Sequence, residues 1–188
     1  MIDKALNESF FKKKQLRKTL RKKREELSTQ RRVDAAQKAF QTLSEVLKKY
    51  KRVLSFASFD GELNLWLLNQ HLATTHRLLL PRVYGLELKI FAVEDLDKQL
   101  HPSPLGIKEP IPLLSVELPL SEIEVICVPG LGFDKNNHRI GYGKGYYDRL
   151  LAKLPGCHTI GIGFHEQLVS ETIPTTPHDI PLKEILLF

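Results

Sequence analysis

Between Glu124 and Pro155 an unbroken apolar run, EVICVPG, enters a segment with glycines at alternate positions, Gly141, Gly143 and Gly145, and then an amphipathic helical pattern. An apolar run without alternation belongs to a parallel strand covered on both faces. A strand that passes through a glycine loop into a helix is the repeating unit of an α/β sheet.

The rest of the chain supplies the neighbours such a strand needs. RVLSFAS (52–58), HRLLLPRV (76–83), LELKIFAV (86–93), HTIGIGF (158–164) and EILLF (184–188) read as strands. NLWLLNQHLAT reads as a short helix with Asn64 as its cap, and HEQLVSE as a short helical turn. KGYYDRLLAKLPG predicts a helix with Tyr147, Leu150, Leu151 and Leu154 inward, stopped by Pro155 and Gly156. Two helices precede the strands. Residues 9–26 carry Ser9 as a cap and Leu16, Leu20 and Leu27 as an apolar stripe; residues 28–50 carry Ser28 as a cap and Val33, Ala36, Phe40, Leu43 and Leu47 inward. Residues 94–120, with Pro102, Pro104, Pro110, Pro112 and Pro119, read as an irregular functional loop or outer wrapping. The expected architecture is α/β: a single domain over residues 1–188, a largely parallel sheet flanked by helices, and a basic N-terminal helix.

The net charge of +6 belongs to one end. Residues 1–24 hold ten Lys and Arg against Asp3 and Glu8, while the other 164 residues hold 18 basic and 20 acidic side chains. No apolar stretch reaches membrane-spanning length, and the N-terminus lacks the apolar core of a secretory signal, so the expectation is a cytoplasmic protein without a membrane partner. Cys127 and Cys157 lack paired spacing and read as reduced, structural thiols. The seven histidines show no metal-ligand spacing, and no nucleophile elbow is present.

The glycine segment carries the chemistry. Glycines permit positive φ and close backbone approach, a helix start offers free N–H groups, and Lys144 adds a point charge. The ligand these features suit is an anion, the phosphate chain of a nucleotide; the other reading is a tight strand-to-helix connection. Gly145 follows Lys144 where a Walker loop needs Ser or Thr, and Tyr146 stands where a dinucleotide fingerprint needs its third glycine. Asp148, four residues past Lys144 on the same face, suits a magnesium ion between carboxylate and phosphates, or else simply favours the helix dipole. Lys13, Arg17, Arg21 and Arg24 form a basic face opposite the leucine stripe. That face reads as solvated, as a nucleic-acid patch, or as a phosphate clamp. The acidic balance of the remaining chain offers nucleic acid no second basic surface.

Taken together, PGLGFDKNNHRIGYGKGYYDRLL, KKQLRK, PSPLGIKEP and PHDIPL resemble the 5-formyltetrahydrofolate cyclo-ligase family, in order and over essentially the whole chain. The resemblance implies ATP-dependent cyclisation of 5-formyltetrahydrofolate to 5,10-methenyltetrahydrofolate through a phosphorylated formyl group, with ATP as co-substrate and Mg2+ required. It further implies small-molecule partners only, and the expected state is a monomer. By motif, Lys144 is the catalytic residue nearest the transferred phosphate. Lys13, Arg17, Arg139, Gly141, Gly143, Lys144, Gly145, Tyr146 and Tyr147 bind ATP; Glu62, Tyr142 and Tyr146 bind the folate; Asp148 and Asp179 hold the metal. Two departures stand out: Tyr142, where some members carry Arg, and Lys183, where the closing element often has an acid. The alternative function is a basic nucleic-acid-binding protein using the N-terminal helix.

Overall fold

The computed structural model describes residues 2–104 and 106–188, with side chains from Ser9 onward. Helices α1 (Ile2–Glu25) and α2 (Thr29–Val46) come first, followed by strand β1 (Val53–Leu54), helix α3 (Trp66–Thr74), and strands β2 (Leu78–Tyr84) and β3 (Glu87–Ala92). Short strands β4 (Leu100–Pro102), β5 (Lys108–Pro110) and β6 (Val116–Leu118) precede β7 (Val125–Pro129). The hairpin β8 (Gly132–Phe133) and β9 (Arg139–Ile140), helix α4 (Tyr146–Ala152), and strands β10 (His158–Gly163) and β11 (Glu184–Leu187) complete the chain.

Seven strands form one sheet in the order β11-β10-β7-β1-β2-β3-β6. The pairings from β11 to β2 are parallel, and β3 and β6 add on antiparallel. The expected largely parallel α/β sheet is therefore the observed one. Val125 to Val128 of β7 are fully buried, as an apolar run without alternation requires. One face of the sheet packs on α2 and α3 through Ala35, Ala39, Leu43, Leu68 and Leu72; the other packs on α4 through Leu150 and Leu151. Among the described residues, no helix is long and apolar enough to cross a membrane.

Several local expectations change. Helix α1 runs through Ser9, which is no cap, because nothing from Ile2 to Glu8 breaks a helix. Ser28 does cap α2, its hydroxyl accepting the Arg31 N–H at 3.1 Å. The inward face of α2 is Ala35, Ala39, Leu43 and Leu47, with Val33 45% exposed; small residues let the helix lie close to the sheet. Asn64 precedes the Leu65 cap of α3, but its side chain still accepts the Trp66 N–H at 2.8 Å. The "irregular" 94–120 stretch contains β4, β5 and β6, which its prolines limit to three residues each.

Strand β1 is also shorter than its apolar run. After Ser55 the backbone leaves the ladder, and side chains take over its bonding: Asn69 Nδ2 donates to the Phe56 carbonyl, and Ser58 Oγ bridges Leu63 and Leu65. The released segment ends in a turn at Asp60 and Gly61, both at positive φ (48° and 72°), which delivers Glu62.

Candidate functional site

Neighbouring strands β1 and β7 send their chains in opposite directions: β1 leads through α3 to β2, and β7 leads through α4 to β10. A sheet has its crevice where connections diverge in this way, beyond the carboxyl ends of the two strands. The turn carrying Glu62 and the glycine segment leave those two ends, so topology alone brings them together.

Helix α1 closes the crevice. Leu20 and Leu16 pack on Leu131, Ile140, Ile173, Tyr142 and Val169. The approach is close enough that a Cβ on Gly132 would stand 2.6 Å from Leu20 Cδ1. Because Leu16 and Leu20 sit among Lys13, Arg17 and Arg24 in helical register, the basic row lies beside the leucine stripe, not opposite it. Lys13 Nζ reaches Asp179 Oδ2 at 2.6 Å, Arg17 Nε donates to the Gly141 carbonyl at 2.9 Å, and Arg24 Nη2 donates to the Tyr142 hydroxyl at 2.7 Å. The guanidiniums of Arg21 and Arg24 also lie over the Tyr142 ring, at 5.2 and 5.7 Å from its centroid. Lys13, Arg17 and Arg24 are thus engaged within the fold, while Arg21 remains exposed.

Gly143 and Gly145 adopt φ of 93° and 68°, left-handed values that most side chains resist. These turns hold α4 back to Tyr146, two residues later than the sequence pattern suggests, and leave it seven residues long. Little macrodipole is available from so short a helix, so charge at this loop comes from side chains. Lys144 is exposed at its crest, and among the described residues its ammonium meets no acidic partner. Tyr146 reaches the Gly85 carbonyl at 3.4 Å with Arg149 stacked on its ring, and Tyr147 is partly buried against the sheet. Burial raises the Tyr147 phenol, helped by the nearby Glu62 charge.

Arg139 has a side chain only 5% exposed. Its two terminal nitrogens bind the Ile180 carbonyl (2.9 Å) and Asp148 Oδ1 (2.7 Å), and the Ile180 N–H reaches the same oxygen at 3.3 Å. Arg139 thus fastens the 178–182 segment to α4 instead of facing the loop. Asp179 Oδ2 accepts from Lys13 and from the Thr176 N–H and hydroxyl (2.6 and 2.9 Å). Burial pushes this carboxyl up, but the Lys13 and Thr176 hydrogen bonds outweigh it and hold the group below its ordinary value. Among the described residues, no three His, Cys, Asp or Glu side chains gather as a metal cage. Each aspartate has one oxygen engaged by protein donors and remains partly exposed, which fits an ion shared with a bound phosphate chain better than a resident metal.

At the β1 side, Glu62 is half-buried, with Oε2 accepting the Phe59 N–H at 3.2 Å. Desolvation pushes its carboxyl up to about 7, against the lowering pull of the Phe59 N–H, the Arg24 charge and a hydrogen bond from Tyr142. Burial likewise pushes the Tyr142 phenol up to about 12. Cys127 is buried, its thiol raised to about 12 by desolvation, and Cys157 is also free; neither takes part in the crevice.

Two site participants, Asp60 and Thr176, fall outside the sequence reading, and a third, Arg24, was read only as part of the basic face. Arg24 was visible as the end of the basic row, seven residues past Arg17, but its partners depend on the β1–β7 adjacency, which no local pattern contains.

Comparison with known proteins identifies the family and the fold. Residues 10–187 match the 5-formyltetrahydrofolate cyclo-ligase family. A 5-formyltetrahydrofolate cyclo-ligase of Haemophilus influenzae is 30% identical, with 94% of this chain and 97% of the relative aligned. The NMR structure of Aquifex aeolicus 5,10-methenyltetrahydrofolate synthetase superposes with a TM-score of 0.81 at 31% identity, covering 92% of this chain and 88% of that one. A Mycoplasma pneumoniae 5,10-methenyltetrahydrofolate synthetase gives 0.74 at 26% identity, over 92% and 96% of the two chains. With 178 consecutive residues matched, the chain belongs to the 5-formyltetrahydrofolate cyclo-ligase family.

Proposed function

We propose that this protein cyclises 5-formyltetrahydrofolate to 5,10-methenyltetrahydrofolate with ATP as co-substrate, releasing ADP and phosphate. The observation that carries this reading is a glycine loop bearing the exposed Lys144, bound at its Gly141 carbonyl by Arg17, with Lys13 held one turn earlier on the same helix by Asp179 and the half-buried carboxylate Glu62 on the neighbouring turn. Family membership supports the same reaction and does not favour nucleic acid.

A formamide oxygen is a poor leaving group, so the chemistry needs it converted to a phosphate ester. The formyl oxygen attacks the γ-phosphorus of ATP and ADP leaves. N10 then attacks the activated carbon, the carbon–oxygen bond breaks, phosphate carries the oxygen away, and N10 loses its proton. The protein contributes position and charge. Lys144 faces the transferring phosphoryl group, and Arg17 and Lys13 hold the phosphate chain from the α1 side. Gly141, Gly143 and Gly145 shape the loop around it, and Tyr146 and Tyr147 wall the site. Arg139 acts by holding Asp148 and the 178–182 segment in place. Glu62 and Tyr142 bind the folate. Asp148, and secondarily Asp179, would hold Mg2+, which would supply charge neutralisation during transfer.

The test is to mix the purified protein with 5-formyltetrahydrofolate and Mg-ATP and to follow methenyl absorbance together with ADP. Equal ADP and methenyl formation is expected, and no methenyl product overturns the reading. Its magnesium half is tested by Asp148→Asn, which removes charge but keeps shape. That variant is expected to need more magnesium for half-maximal rate at unchanged thermal stability, and an unchanged magnesium curve would remove Asp148 from the metal.

A further inference from the structure

Arg24 is the most deeply buried charge in the crevice, with only 3% of its side chain exposed. Its Nη2 serves three acceptors: the Asp60 carbonyl at 2.5 Å, the Tyr142 hydroxyl at 2.7 Å and Asp60 Oδ2 at 3.5 Å. Its Nη1 is buried with no hydrogen-bond partner among the described residues. A buried guanidinium with an idle donor is a poor device for stability. Apolar replacements of buried charges are often neutral or stabilising, and an unsatisfied buried donor carries a penalty. What Nη2 does must therefore account for its presence.

What Nη2 joins is the substrate turn and the glycine loop. Asp60 is a non-glycine residue at φ 48°, a conformation that persists only when its surroundings hold it. Arg24 grips that residue's carbonyl, and Arg32 from α2 binds the adjoining Gly61 carbonyl at 3.0 Å and the Arg24 carbonyl itself. On the other side Arg24 donates to the Tyr142 hydroxyl at 2.7 Å, and Tyr142 is among the groups that pull the Glu62 carboxyl down. Along α1, Arg24 lies roughly 10 Å beyond Arg17 at 1.5 Å per residue, so one rigid helix sets the distance between the phosphate end and the Glu62 end.

We propose that Arg24 is a positioning residue: through the Tyr142 hydroxyl it aims the Tyr142–Glu62 pair, and through the Asp60 carbonyl it holds the left-handed turn that presents Glu62 to the folate. This rests on the reading of Glu62 as folate-binding. The charged and titratable groups around Glu62 are Arg24 from α1, Arg32 from α2 beside Gly61, Asp60 on the turn itself, Tyr142 on the glycine loop and Tyr147 on α4. Asp60 opposes ionisation of Glu62, while Arg24 and Tyr142 favour it. Losing either of the latter two moves the Glu62 titration to higher pH.

The experiment compares wild type with Arg24→Met, Arg24→Lys and Tyr142→Phe, the last breaking the link without emptying space. The Glu62 carboxyl is titrated by 13C NMR, and KM is measured separately for folate and ATP. Upward movement of the Glu62 titration is expected in Arg24→Met and Tyr142→Phe, with partial recovery in Arg24→Lys. In Arg24→Met the KM for 5-formyltetrahydrofolate should rise about tenfold or more, the scale of one lost charge-assisted hydrogen bond, with the ATP KM within about twofold. Its Tm should stay within about 3 °C of wild type. A Glu62 titration that stays put in Arg24→Met and Tyr142→Phe overturns the proposal, as does a Tm collapse in Arg24→Met with no titration shift in Tyr142→Phe. If the titrations move as expected but the wild-type protein makes no methenyl product, the proposed reaction fails and the positioning role stands.

Discussion

Lys144 and Glu62 are opposite solutions to placing charge in a site. Lys144 stands in solvent on a loop held open by Gly143 and Gly145, where its ammonium is free to meet a phosphoryl group. In the proposed role, removing it would strip transition-state stabilisation without touching the core. Lys144→Ala is expected to lose roughly 100- to 1000-fold in turnover, the scale of one electrostatic contact to developing charge, with an unchanged unfolding curve. Near-normal turnover would remove Lys144 from the chemistry. Glu62, by contrast, is held where water is scarce, and its carboxyl rises to about 7. A carboxyl raised in the folded state stabilises the fold below its unfolded pKa and forfeits that stability as pH climbs through the folded value. Glu62→Gln should therefore be more stable than wild type at pH 8 by ~1–3 kcal/mol, and equal to it below about pH 4. Thermal melts at the two pH values check this, and equal melting at pH 8 would contradict the raised carboxyl. The same variant is expected to bind folate poorly, as a strained functional group should.

At the scale of elements, the crevice depends on parts that carry no chemistry. Asp134, buried at the end of the β8 strand, accepts the N–H groups of Ile173, Asn136 and His138 at 2.8, 2.9 and 2.9 Å, and His138 Nδ1 at 3.2 Å. Burial raises this carboxyl, but those hydrogen bonds outweigh it and leave it below its ordinary value. It ties the β8–β9 hairpin to the 170s segment and so fixes the floor on which α1 rests. Asp134→Ala is expected to cost about 1–3 kcal/mol for each orphaned buried donor, enough to lower Tm by several degrees and to impair ATP and folate use together. Because a depressed carboxyl contributes stability above its unfolded pKa and loses it as pH falls through the folded one, the wild-type advantage should shrink below about pH 4. A variant as stable as wild type at pH 7 would contradict the hub. The elements themselves were largely readable. EVICVPG announced a buried parallel strand, and Ser28 announced a cap, because both are written in local spacing. The ends of β1 and α4 were not: β1 stops where Asn69 and Ser58, distant in sequence or off the ladder, take its backbone, and α4 starts late because two glycines turn left-handed.

Across the whole molecule, function follows from which strands are neighbours. Adjacent β1 and β7 diverge, the Glu62 turn and the glycine loop emerge side by side, and α1 lays Lys13, Arg17 and Arg24 across both. The sequence displayed the row and the loop separately; their meeting is a property of sheet order, which is why Arg24 and Asp60 could not be placed from spacing alone. The central claim is that the crevice moves a phosphoryl group onto the formyl oxygen so that the oxygen can leave. It is tested most directly by giving the enzyme ATP and 5-formyltetrahydrofolate labelled with 18O in the formyl group, then examining the released phosphate by mass spectrometry. The account predicts one 18O atom in the phosphate for every methenyl product formed. Methenyl product accompanied by unlabelled phosphate, with the 18O released to water, would contradict it.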